Sequence, residues 1–423
     1  TPTPDSSLKK FFFNDTATTE IYTLFESSAA SDVYKRQGMT CLKVGGRRKY
    51  NVEFPDTLQN KTLRSIAEKV CNKIPVNKED ALYMLTTDDI LDLGAIAHHV
   101  RTKLHGNIAY YGVNMNLNYT NICELRCPLC AYSCDENDEN AFLLSIDEID
   151  RRIQKAVLMG IDEVHIVGGL HPDLGIDYFE EMLRRIKNIK PDIHIVGFTA
   201  VEYDYFAKKN KIPLEEVFKR LMDAGVEALP GGGAEIFSPR VRDIIAPKKI
   251  SGTKWLSVMR TAHKMGLKTN ATLLYNHIET PEDIVDHLLQ IRDFQDETGG
   301  FKTFVPLQFH GENTKIDARP STTGYDDIRI YAASRIFLHN VPHLKALWMY
   351  LGDKMAQVLL RFGVDDIGAT YHNEKVVHAA GAQTPDFGSE PFLRRLIHEA
   401  QLIPERTTAS YRSLSPNLRE EFV

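Results

Sequence analysis

Apolar residues recur every three to four positions between Thr62 and His105. Leu63, Ile66, Ala67 and Val70 share one face, and Leu82, Leu85, Leu93, Ile96 and Val100 continue the pattern. This period predicts a small helical cap. Beyond it the pattern changes: short apolar runs alternate with amphipathic stretches. The runs predict strands at Ala109–Leu117, Glu163–Gly168, His194–Thr199, Glu227–Pro230, Lys268–Tyr275, Thr303–Phe309, Leu344–Trp348 and Asp366–Gly368. The stretches predict helices such as Ser145–Met159, Tyr178–Asn188, Pro213–Ala224, Ser251–Met265, Pro281–Glu297, Tyr325–His339 and Lys354–Phe362. Ser145 with Glu148 reads as a capping box, and Thr280-Pro281 as a cap followed by proline in the first turn. Eight strand–helix units predict an α/β fold, a (β/α)8 barrel of TIM type, with a doubly wound sheet as the alternative. The expected division is an N-terminal helical cap at 38–106, a barrel at 107–380 and a C-terminal helical tail at 381–423, with one helix at Pro391–Gln401.

Residues 1–37 carry no amphipathic pattern. Asn14–Thr23 and Ser27–Gln37 read, codon for codon, like the two ends of a translated sequencing-library adapter. The segment is expected to be an artefact without ordered structure, and the genuine chain to begin near Met39.

The chain has 423 residues, 43% hydrophobic and 26% charged, with a formal net charge of −6. That is an ordinary globular composition. No apolar run reaches the ~18 residues of a membrane helix, and the mild acidity argues against a nucleic-acid surface. Six cysteines, three of them in one short loop, point to a reducing cytoplasm rather than a disulfide framework.

Those three are Cys123, Cys127 and Cys130, spaced C-x3-C-x2-C within Asn121-Ile-Cys-Glu-Leu-Arg-Cys-Pro-Leu-Cys-Ala-Tyr132. Three thiolates on one loop hold three irons of a four-iron–four-sulfur cluster and leave the fourth open, whereas electron-transfer clusters are closed by four cysteines. Structural zinc is the competing use, but its sites take two C-x2-C pairs or Cys/His sets, and no second pair follows. Cys134 is read as a reduced bystander, with a fourth ligand as the alternative.

Barrel chemistry sits at the C-terminal ends of strands. There the sequence places Gly168-Gly169-Leu-His171, Thr199-Ala-Val-Glu202, Gly231-Gly-Gly-Ala-Glu235, Tyr275-Asn-His277-Ile-Glu279 and Gln308-Phe-His310. The glycines suit close backbone approach to a ligand. Each histidine has a structural reading beside a substrate-contacting one. Glu202 and Glu235 either brace loops or meet an amino or ribose group.

The cysteine spacing resembles that of the radical S-adenosylmethionine (radical SAM) enzymes. From about Leu63 to Pro404 the chain is similar to the aminofutalosine (aminodeoxyfutalosine) synthases, radical SAM enzymes of the futalosine route to menaquinone. The matching stretches include His165-Ile-Val-Gly-Gly-Leu-His-Pro-Asp173, Leu229-Pro-Gly-Gly-Gly-Ala-Glu-Ile236, Asn270-Ala-Thr-Leu-Leu-Tyr-Asn-His-Ile-Glu-Thr280 and Phe304-Val-Pro-Leu-Gln-Phe-His310. Two departures are Leu129, where such loops usually carry an adenine-contacting aromatic, and Asn276, where many relatives have Gly. Dehypoxanthine futalosine cyclase is the alternative. It typically has Ser-Ala-Pro-Glu in place of Thr199-Ala-Val-Glu202 and Val-Gly-Glu in place of His277-Ile-Glu279. The tyrosine-modifying enzymes of deazaflavin synthesis usually lack the triple glycine.

The resemblance implies a radical SAM barrel that uses a 4Fe-4S cluster on Cys123, Cys127 and Cys130. Its cosubstrate is S-adenosylmethionine (SAM), held by Leu129, Gly168, Gly169, Thr199, Glu202, Gly232, Glu235 and Glu279. It implies transfer of the 5′-deoxyadenosyl group to 3-((1-carboxyvinyl)oxy)benzoate, giving 6-amino-6-deoxyfutalosine, methionine and bicarbonate. His277, His310, Glu202 and His171 are the implied catalytic residues. A flavodoxin or ferredoxin-type protein would donate the electron, with no nucleic-acid or membrane partner.

Overall fold

The computed structural model describes residues 54–317 and 322–414, so the adapter-like segment 1–37 lies outside the described residues. The strands are β1 (Ile108–Gly112), β2 (Asn114–Leu117), β3 (Glu163–Ile166), β4 (His194–Gly197), β5 (Ala228–Leu229), β6 (Lys268–Tyr275), β7 (Phe301–Gln308), β8 (His343–Leu344), β9 (Asp366–Ala369) and β10 (Ile403–Arg406). β2 to β8 form one parallel sheet in sequential order, and helices cover the connections. Ile146–Leu158 buries one stripe, with Ile149, Ile153 and Ala156, whereas Gly324–Phe337 is buried almost all round. The predicted box at Ser145 forms only by half. The Ser145 side chain accepts from the Glu148 amide, while the Glu148 carboxylate accepts from Arg152 at 2.9 Å instead of from the Ser145 amide. Thr280 makes a full capping box with Asp283 ahead of Pro281.

The barrel differs from the simplest eight-strand ring in one place. The run expected as a single strand at 109–117 is broken at Val113. Its first half, β1, leaves the main sheet and pairs with β9 and β10 in a second, three-stranded parallel sheet. Single bridges from Lys345 to Asp366 and from Met115 to His372 tie the segment after β8 to both edges of the main sheet. The eighth place is therefore filled, but its hydrogen bonds go largely to β1. The break lets Ala109 and Tyr111 bury beneath the C-terminal helix Glu390–Glu399, where the Tyr111 hydroxyl donates to Glu390 at 2.7 Å.

After β10 the chain turns into the N-terminal end of the barrel lumen. The Ala409 amide donates to Glu163 on β3. Ser410 Oγ lies 3.0 Å from His194 Nε2 on β4. The Tyr411 hydroxyl donates to Asp366 at 2.7 Å and accepts from Thr303 at 2.9 Å, and its ring stacks on His343 with centroids 3.4 Å apart. Thr407–Tyr411 thus seals the floor. At the other end of the chain, the helices Lys78–Thr86 and Ile90–His105 pack on Gly324–Phe337. No helix of the described residues is long and apolar enough to cross a membrane.

Candidate functional site

The C-terminal strand ends surround a cavity of about 380 Å³ lined by Cys123, Cys127 and Cys130. The loop that carries the thiols follows β2 and is held by backbone contacts on three sides. Gly169 donates to Thr120 at 2.9 Å, Glu124 to Leu170 at 3.1 Å, and Leu129 to Ile245 at 3.1 Å. Cys123 and Cys134 clasp the loop's base, through Cys123 N to Cys134 O at 3.2 Å and Cys134 N to Asn121 O at 3.0 Å. Arg126 bridges the first two thiols in the left-handed region, at φ 46°. The loop lies so close to the end of β3 that a side chain at Gly169 would place its Cβ 2.1 Å from the Ile122 carbonyl. Glycine is required there for steric reasons alone.

The three thiols share one cavity wall, and Cys134 does not line that cavity. Burial pushes the Cys127 thiol up to about 11, against the pull of nearby Lys249. Such a group is costly to ionise on its own but loses its proton readily to a metal. Three sulfur donors, a buried setting and an adjacent cation fit a four-iron cluster with one iron left open.

Glu202 also lines the cavity, yet both its oxygens are engaged. One accepts from the Thr199 amide at 2.6 Å, the other from the Gly168 amide at 3.1 Å, and the Tyr119 hydroxyl lies 3.0 Å away. Burial pushes its pKa up to about 7 against those bonds. Its work is to fix the backbone of strand ends β3 and β4. Glu235, at φ 49°, is paired with the buried Lys249 at 2.5 Å and kept below the usual carboxylate range by that cation in spite of burial. Gly232 turns its carbonyl to Trp255 Nε1 at 3.2 Å. Leu129, Gly168, Thr199 and His310 line the cavity too. His310 sits 3.0 Å from the Tyr350 carbonyl, and burial lowers its pKa.

Three expected residues do not reach this cavity. His277 is fully buried: Nε2 lies 2.9 Å from the Leu274 carbonyl, and Nδ1 accepts from the Ile278 amide at 2.8 Å. Its position at a strand end suggested substrate contact, but Asn276 at φ 72° turns the chain and aims the ring back into the backbone. Glu279 accepts from the Asn276 and His277 amides at 2.7 and 2.9 Å, outside the cavity wall. His171 is buried, with Nδ1 accepting from the Asp173 amide at 3.1 Å. These are loop-bracing side chains.

Sequence reasoning missed other wall residues. Tyr132, two residues past the last cluster thiol, has a buried hydroxyl with no partner. Lys249 had no signal beyond being a lysine in a loop. Asn116, His165, Asn270 and Lys345 line the deeper part, and the inward side of each strand could have been counted from its period of two.

The sequence pattern of the Radical SAM superfamily matches residues 117–291, and that of the CofH/MqnC C-terminal region matches 298–418. The aminodeoxyfutalosine synthase of Thermus thermophilus is 38% identical over 84% of this chain and 97% of its own length. The 5-amino-6-(D-ribitylamino)uracil–L-tyrosine 4-hydroxyphenyl transferase of Methanopyrus kandleri is 37% identical over 74% of this chain and 87% of its own. The crystal structure of HydG, a maturase of the FeFe-hydrogenase, superposes with a TM-score of 0.67 at 18% identity, covering 90% of this chain and 79% of HydG, which speaks for the fold alone. With the fold, the three-thiol loop and these relatives in agreement, the chain belongs to the radical SAM superfamily, in the branch that includes the aminodeoxyfutalosine synthases.

Proposed function

We propose that this protein joins the 5′-deoxyadenosyl group of SAM to 3-((1-carboxyvinyl)oxy)benzoate, giving 6-amino-6-deoxyfutalosine, methionine and bicarbonate for menaquinone synthesis in the cytoplasm. Like its superfamily, it uses a 4Fe-4S cluster with SAM as cosubstrate, and a flavodoxin or ferredoxin-type protein is the proposed electron donor. When bound, the cluster supplies the electron that releases the 5′-deoxyadenosyl radical. Cys123, Cys127 and Cys130 are the proposed ligands, with Cys134 left out. Gly168, Gly169 and Thr199 offer backbone and hydroxyl groups to the methionine end, and Glu202 holds those groups in place. Leu129 and Gly232 lie along the proposed adenosine wall. The protein's tasks are positioning and exclusion of water.

The observation that carries this reading is a single cavity that starts at three cysteines and continues into an enclosed lumen, in a chain spanning nearly the whole of a synthase. The similarity to a tyrosine-modifying transferase favours a second reading, in which the radical abstracts hydrogen from L-tyrosine. Gly231-Gly232-Gly233 speaks for the synthase, because the tyrosine enzymes usually lack it. Anaerobic incubation with ribose-labelled SAM and each substrate separates the two. The synthase reading requires label joined to the benzoate product, and free 5′-deoxyadenosine formed with tyrosine would overturn it.

A further inference from the structure

We infer that the deep end of the cavity, lined by Lys345, Asn116, His165 and Asn270, is a carboxylate subsite that anchors the benzoate end of the second substrate. The inference rests on the proposed function and adds to it the residues that would recognise an aryl carboxylate.

The cavity wall changes character with depth. At the mouth it presents thiols and backbone. Its middle is apolar, with Val305 and Leu307 of β7 and Leu347 and Met349 after β8. Its deep end is polar again. Asn116 and His165 sit opposite each other in the β2–β3 register, and Asn270 lies inward on β6. The sequence of surfaces matches the substrate. The vinyl group must meet the adenosyl C5′ near the cluster, the ring then lies in the apolar belt, and the ring carboxylate points down the lumen.

Polar atoms at that depth are left over. Asn116 Oδ1 and Asn270 Oδ1 are buried without a hydrogen-bond partner, a rarity in native interiors. Either amide can turn its NH2 group to an anion, since the oxygen and nitrogen positions interchange. His165 Nε2 lies 2.8 Å from Glu163 but out of line for a hydrogen bond. Lys345 has three ammonium protons, and its Nζ lies 3.1 Å from an oxygen of Asp366. Asp366 is already met by the Tyr411 hydroxyl and the Gly368 amide, each at 2.7 Å.

A second cation stands behind the first. The β6–β7 register slips between Thr269 and Asn270, and the slip admits Lys302 beside Thr303. Such bulges re-aim side chains. Lys302 is 7% exposed, its Nζ has no hydrogen-bond partner, and it lies within the fields of Lys345, Glu163 and Asp366. Burial pushes its pKa down to about 7, a setting that an added anion would relieve.

The test is equilibrium binding to the SAM-loaded holoenzyme under anaerobic conditions, by calorimetry. The probes are 3-((1-carboxyvinyl)oxy)benzoate and its ring carboxamide. Wild-type protein should bind the acid about tenfold or more tightly than the amide. Lys345→Met should weaken the acid to the level of the amide and leave the amide unchanged. The SAM-dependent change in the reduced cluster's paramagnetic resonance spectrum should persist. Equal binding of acid and amide by the wild type overturns the subsite, whether or not the variant folds. So does a folded Lys345→Met variant that still prefers the acid. Product analysis decides the proposed function separately. A wild type that prefers the acid but forms no adenosyl adduct would keep the subsite and discard the reaction.

Discussion

Glu202 at the barrel mouth and Glu163 at its floor are the same residue, each fully buried, and their pKa values move in opposite directions. Glu202 is pushed up to about 7. At Glu163 burial also acts upward, but His165, His194 and Lys345 hold it down at about 2. The difference lies in the partners. Glu202 meets backbone amides and a phenol, which carry no net charge. Glu163 meets cations and potential cations. Backbone donors fix geometry without recruiting charge, which suits a wall that must bring a cluster loop against a ligand. Charged side chains pull a floor shut.

The harshest way to break the mouth is to remove a thiol. Cys127→Ala should lose the cluster and product formation to background, measured as iron and sulfide content and adduct yield. Cys134→Ala should keep its iron. Equal iron loss in both would make Cys134 a ligand. The harshest way to break the floor is to end the chain at Arg406. Glu163, His194 and Asp366 then each lose one hydrogen bond from that segment, an effect of about 3–5 kcal/mol together, or a fall of about 5 °C in Tm for a chain of this size. Retained thermal stability would show that Thr407–Tyr411 is dispensable.

The pH dependence sharpens the contrast. Glu163 is depressed from 4.5 to about 2, so it contributes stability above pH 4.5 that is lost as pH falls from 4.5 towards 2. A shift of that size corresponds to about 3 kcal/mol. Glu163→Gln should flatten this acid limb in denaturant titrations. Glu202 is raised from 4.5 to about 7, so the folded state keeps a proton that the unfolded chain has released. Stability should fall as pH rises from 4.5 to 7, and Glu202→Gln should remove that slope. Slopes of the same sign for both residues would dissolve the comparison. The smallest effect is expected for Tyr411→Phe, which removes the hydroxyl between Asp366 and Thr303. It should cost about 1–3 kcal/mol and leave iron content unchanged.

Much of the mouth was legible because its chemistry is local. Three cysteines within eight residues need no tertiary information, and the strand-end rule brought Gly168, Glu202 and Glu235 to the same rim. The rule failed at His277 because a strand end fixes where a residue sits and not where its ring points. Asn276 in the left-handed region decides that. The floor was not legible. Its groups come from Glu163, His194, Thr303 and Asp366, and are joined by Ala409–Tyr411, which had no motif to mark them. The break at Val113 was hidden too, since no glycine–proline pair or polar turn separates the two halves of 109–117 and only their pairing differs.

The sealed floor also sets an order of events during synthesis. Glu163 and Ala409 stand 246 residues apart in the chain. At about 5–20 residues per second on the ribosome, β3 emerges roughly ten to fifty seconds before its closing partner exists. Throughout that interval Glu163 and His194 lack the Ala409 amide and the Ser410 hydroxyl that cover them, and the lower end of the lumen stays open to water. The closing of the floor by Thr407–Tyr411 is therefore a late step, taken after every strand of the main sheet has been made.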